Sequence, residues 1–133
     1  MTTQEAKPSY QEAARHLLAQ GFAELEAGDV GQASEKGWGA AAQMVKAVAE
    51  DRGWRHKTHA ALHEIVERIV RETGDNAIGK RFKVAGYLHQ NFYENWAGEA
   101  SVASGLDDVR DLLDRLEPLL NGDLSATGEG GVV

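Results

Sequence analysis

No cysteine occurs in the 133-residue chain. Disulfides, thiolate metal ligands and a cysteine nucleophile are thereby excluded together. Proline is nearly missing: Pro8 and Pro118 stand near the two ends. The roughly 110 residues between them lack the strongest helix breaker, which invites long helices. Long apolar runs are missing too. No segment approaches the ~20 apolar residues of a membrane helix, and the start, MTTQEAKPSYQEAARHLL, has no apolar stretch of signal-peptide length. Nor is there an excess of positive charge, since 14 Lys+Arg face 21 Asp+Glu for a formal net charge of −7. Duplex DNA is therefore not an expected partner. These absences, with 42% hydrophobic residues, lead to the expectation of one cytoplasmic, helical domain with a real core.

What is present is helical periodicity. Ser9 and Glu12 have capping-box spacing, and Ala14, Leu17, Leu18, Gly21, Phe22 and Leu25 follow at three- and four-residue steps, up to Gly28. Asp29 suits the N-cap of a second helix running to about Arg52, with Ala33, Gly37, Ala40, Ala41, Met44, Val45 and Val48 inward. Its small residues predict a central position with close neighbours. A connector, 53–57, leads to Thr58 as N-cap of a third helix carrying Leu62, Ile65, Val66 and Ile69. A fourth is expected from Asn76 to Trp96, a loop from Gly98 to Gly105, and a fifth helix from Leu106 to Leu120. No run alternates with period two for long enough to be a strand. The expectation is an all-α, antiparallel up-and-down bundle of about five helices. It would span residues 9–120, with flexible segments at 1–8 and 121–133.

Between Ala27 and Ala41 the chain reads A-G-D-x-x-x-A-S-E-K-x-W-G-A-A. This phrase resembles the archaeal PaREP family, within the larger HEPN class of helical nucleotide-binding domains. The resemblance implies a HEPN-like bundle of four or five helices, commonly a homodimer. It also implies an association with ribonuclease activity and with nucleotidyltransferases. Active ribonucleases of the class carry an arginine and a histidine four to six residues apart. Here Arg81 and His89 have seven residues between them, and Arg52 and His59, with six, straddle the connector. The ribonuclease residues are therefore not carried over.

Two constellations are able to carry chemistry. His59 and His63 lie one helical turn apart, a spacing suited to two imidazole ligands on one divalent metal, with His89 or Glu94 as a third ligand. The glutamate of an HExxH motif is missing between them. Imidazoles that hydrogen-bond or stack at helix ends give the same pattern. The second constellation is the polar and aromatic run 87–96, where His89, Tyr93 and Trp96 share a face. A candidate pocket of His59, His63, His89, Tyr93, Glu94 and Trp96 follows, with imidazole and phenol as proton carriers. An amphipathic edge of the core is the plainer alternative.

Two basic patches are candidates for phosphate or nucleic acid: Arg52, Trp54 and Arg55, and then Lys80, Arg81 and Lys83. Three readings of function result. One is a dimeric binding domain for a protein partner or a nucleotide-bearing ligand. Another is a histidine- or metal-assisted phosphodiesterase at a dimer interface. The third is a tetratricopeptide-like peptide binder, suggested by the spacing from Ala14 to Ala40.

Overall fold

A computed structural model describes residues 9–120. The expected segments 1–8 and 121–133 lie outside the described residues. Five helices follow in order: α1 (Tyr10–Glu26), α2 (Val30–Arg52), α3 (His59–Thr73), α4 (Asn76–Glu94) and α5 (Glu99–Leu116). A single 3-10 turn, Glu117–Leu119, ends the series. No strand occurs among the described residues.

The caps are local chemistry. Ser9 Oγ accepts from the Glu12 amide while Glu12 accepts from the Ser9 amide, closing the capping box. Asp29, Thr58 and Asp75 cap α2, α3 and α4 through their side-chain oxygens. Gly53 and Gly74 end α2 and α3 with φ of 73° and 74°, the left-handed conformation that glycine adopts without a Cβ penalty.

Helix α2 is the axis of the bundle, and 12 of its residues are buried. Its small residues make this possible. A Cβ on Gly37 would stand 2.8 Å from Leu106 Cδ2 and 2.9 Å from Leu88 Cδ1. The missing side chain is thus what lets α4 and α5 reach α2. Pairings such as Leu17 against Gly39, Arg81 with Asp111, and His63 with Phe82 make α1/α2, α4/α5 and α3/α4 antiparallel neighbours. Trp38 meets His59 at the start of α3, and Arg52 meets Glu72 near its end. The connector 53–58 therefore returns along the bundle before α3 begins.

Three expected boundaries are corrected. The segment 98–105 is helix rather than loop: Gly98 is the N-cap and α5 starts at Glu99. Gly105 read as a breaker, yet it sits inside α5 because a Cβ there would fall 2.9 Å from Leu88. Helix α4 stops at Glu94, with Asn95 left-handed (φ 57°), so Trp96 is beyond it. Helix α5 yields to the 3-10 turn before Leu120 because Pro118 has no amide proton for a further α-turn. Among the described residues no helix is long and apolar enough to cross a membrane.

Candidate functional site

The phrase ASEKGW on α2 faces the segment HQN on α4. Ser34 and Asn91 are the only buried polar side chains among the described residues, both 0% exposed. Asn91 Nδ2 donates to Ser34 Oγ at 2.8 Å. Its Oδ1 accepts from the Trp96 and Ala97 amides at 2.8 and 2.6 Å. One side chain thus locks α4 to α2 and sets the turn that presents Trp96.

One residue further along α2, Glu35 Oε1 lies 3.1 Å from His89 Nδ1. A carboxylate only accepts, so Nδ1 is the donor of this bond, and in the neutral imidazole Nε2 then keeps the lone pair. Nε2 has no hydrogen-bond partner among the described residues. It is also not buried, because Arg52 Nη2 is the one buried side-chain polar atom there without a partner. His89 is therefore an oriented imidazole whose other nitrogen is open to solvent.

Around it the rings converge. Trp38 stacks on His89 (5.1 Å between centroids) and also touches His59 (5.1 Å) and Phe82 (5.5 Å). His59 meets His89 edge-on at 5.3 Å, and Tyr93 meets His89 edge-on at 5.4 Å. A cleft of about 330 Å³ opens here between α2, α3 and α4, lined by Trp38, His59, His63, Lys83, Gly86, Tyr87, His89 and Gln90. Beside it Trp96 packs on Tyr87 at 5.1 Å, and Tyr87, Tyr93 and Trp96 are the exposed large hydrophobics of the described chain.

The structure thus brings together His59, His63 and His89, with Tyr93 on His89 and Trp96 on Tyr87. It places His59 directly against His89, and His63 against Phe82. Glu94 does not line the cleft. No group of three His, Asp or Glu among the described residues is arranged to hold a metal ion, so the proposed third ligands, His89 and Glu94, do not complete a set with His59 and His63. Glu35, Trp38 and Tyr87 are site residues that the sequence reasoning did not assign. The signal for the first two was available: they belong to the same ASEKGW phrase that carried the resemblance.

The two basic patches stay separate. Arg81 is engaged by Asp108 and Asp111 (3.7 and 3.1 Å), whereas Lys80 and Lys83 line a groove between α3 and α4. Arg52 is nearly enclosed, 3.5 Å from Glu72 and over the Trp54 ring. Arg68 also lies over Trp54, at 4.1 Å, and Trp54 and Arg55 line a cavity along the connector. Neither arginine–histidine pair is assembled. Arg81 is held toward α5 while His89 turns to Glu35. Arg52 sits at the far end of α3 from His59, about 20 Å along the helix.

Carboxylates in the ion-pair networks at the opposite end of α4 and α5 are perturbed. Hydrogen bonding from Arg115, then from Arg81, holds Asp111 below the ordinary carboxylate range. Hydrogen bonding from Arg15, aided by Gln11, does the same for Glu117.

An all-helical bundle closed around a small-residue axis, with an oriented imidazole at an aromatic cleft, defines the class of protein. Within that class, the profile of the archaeal PaREP1/PaREP8 family matches residues 9–113, and the chain belongs to this family. The fold is also similar to the crystal structure of a protein from Sulfolobus solfataricus. The TM-score is 0.73 at 20% identity, covering 87% of this chain and 98% of that one. No curated protein matches the sequence.

Proposed function

We propose that the chain is a HEPN-like binding domain that works as a homodimer and takes a nucleotide-bearing ligand in the cleft between α2, α3 and α4. The observation that carries this reading is the cleft lined by Trp38, His59, His63, Lys83 and His89, with Glu35 holding His89 in one tautomer. Lys83 supplies a full charge for a phosphate and the imidazoles supply further polar contacts. The exposed rings of Tyr87, in the cleft wall, and of Trp96 beside it offer faces for a base. No arginine lines the cleft, which favours binding without the class's arginine–histidine cleavage pair.

The test is a titration of the protein with nucleoside monophosphates and short oligouridylates, followed by histidine ring NMR signals. Shifts of His59, His63 and His89, with intact RNA recovered afterwards, are the expected result. Signals that stay fixed at millimolar ligand sink the reading. Sedimentation should give twice the 14.4 kDa chain mass; a monomer at all concentrations removes the dimer.

A second reading rests on one contact. His59 and His89 meet edge-on with Glu35 behind His89. This is a base with its orienting carboxylate beside a second proton carrier, the pairing that acid–base cleavage of a phosphodiester uses. RNA cleavage by the wild type, lost in both His59→Ala and His89→Ala, would replace the first reading with this one.

A further inference from the structure

The cations of this acidic chain fall into two groups. Arg15, Arg52, Arg68, Arg81, Arg110 and Arg115 each sit in an ion pair. Lys36, Lys46, Arg55, Lys57, Arg71, Lys80 and Lys83 make none among the described residues, and of these Arg71, Lys80 and Lys83 gather at one place. All three border one groove of about 500 Å³ between α3 and α4, opposed by the single carboxylate of Glu67. Val66, Val70 and Phe82 form its floor. A cationic rim over an apolar floor suits neither a bare inorganic anion nor a nucleic-acid strand. The first gains nothing from the floor. The second needs aromatic faces for its bases, and the groove's two rings offer little: Phe82 is 1% exposed, and His63 is engaged edge-to-face with it at 5.0 Å.

We propose that the α3–α4 groove docks an acidic peptide segment of a protein partner. The segment's carboxylates meet Arg71, Lys80 and Lys83, and one or two of its aliphatic side chains settle over Val66 and Val70. Charge complementarity selects the partner and the apolar floor fixes its register. The site is distinct from the Trp38 cleft, although His63 and Lys83 belong to both. Arg71, Lys80 and Val70 are among the residues that line the groove and not the cleft.

The experiment selects a displayed library of random 12-residue peptides on the full chain. The expected binders are enriched in Asp and Glu together with Leu, Ile, Val or Met. Their affinity should fall about tenfold or more on Arg71→Glu/Lys80→Glu, less on Arg71→Gln/Lys80→Gln, and stay within about twofold on His89→Ala. These side chains are exposed and unpaired, so the variants should keep the wild-type melting temperature. The proposal is overturned by any of three results: no binders, binders no more acidic than the library, or binders indifferent to Arg71→Glu/Lys80→Glu. It is also overturned if a 12-residue oligouridylate loses binding in that variant while no peptide does. Loss of nucleotide binding in His89→Ala with peptide binding intact would separate this groove from the cleft.

Discussion

Replacing Asn91 by alanine tests the junction on which the cleft depends. The amide makes three hydrogen bonds, to Ser34 Oγ and from the Trp96 and Ala97 amides, at 2.6 to 2.8 Å. Each is worth ~0.5–1.5 kcal/mol net, and a buried partner left unsatisfied costs ~1–3 kcal/mol. The Trp96 and Ala97 amides are only partly buried, so water recovers some of that cost. Ser34 is 0% exposed, but its hydroxyl can turn to a carbonyl one turn back in the helix. The sum is a destabilisation of about 2–4 kcal/mol. With a urea slope of ~1–3 kcal/mol/M, the midpoint should drop by about 1–2 M at unchanged slope. Ser34→Ala alone should cost about 1 kcal/mol. In a double-mutant cycle the two should couple by at least ~0.5 kcal/mol, because they share one bond. The α4–α5 turn should loosen as well, so Trp96 fluorescence should shift to the red in Asn91→Ala. A midpoint change below about 0.3 M, or strictly additive effects of the two substitutions, would refute the assignment of Asn91 as the lock between α2 and α4.

Two glycines in helix interiors predict opposite signs. Gly37→Ala gains ~1 kcal/mol of helix propensity but drives a methyl group against two fully buried leucines, an overpacking cost of ~1–3 kcal/mol, and should lower the melting temperature. Gly86→Ala meets nothing within 4 Å and should raise it, by up to ~1 kcal/mol of stability. Acid should unfold the chain through Asp111 and Glu117. Their folded pKa values lie below the ordinary 3.8 and 4.5. Their stabilisation is therefore complete above those values and is lost as pH falls through the lower folded ones. Asp111→Asn/Glu117→Gln should be less stable than wild type at pH 7 and lose less on going to pH 3 in denaturant titrations. An equal loss in both proteins would contradict the role of these pairs.

The helices were legible where caps and periodicity are local. Ser9, Asp29, Thr58 and Gly74 act in the structure as their residue types predict. Segment 98–105 was misread because glycine carries two meanings. Gly98 opens a helix, whereas Gly105 is there for Leu88, a residue 17 positions away that no local window includes. The candidate site was half legible for the same reason. His59 and His63 stand out by spacing, but the partner that orients His89 is Glu35, on another helix. Arg81 looked free beside Lys80 and Lys83 until α5 brought Asp108 and Asp111 against it.

Ser34 and Glu35 are adjacent, yet their burial assigns them different work, and the difference is measurable. Ser34 is sealed, and its hydroxyl is the acceptor for Asn91 Nδ2. Truncation leaves a buried donor unpaired, so the cost falls on stability. The Glu35 and His89 side chains are 35% and 25% exposed. A partly solvated pair of this kind contributes under about 1 kcal/mol, since water replaces what is lost. The fold does not need Glu35, so under the proposed function its carboxylate serves the cleft by orienting the His89 ring. Glu35→Ala should therefore melt within a few degrees of wild type, yet weaken nucleotide binding and change the tautomer pattern of the His89 ring nitrogens in ¹⁵N NMR. Ser34→Ala should do the reverse, melting lower while the His89 tautomer holds. If Glu35→Ala proved the more destabilising of the two, the pair would be part of the scaffold, and the functional reading of the cleft would lose its oriented base.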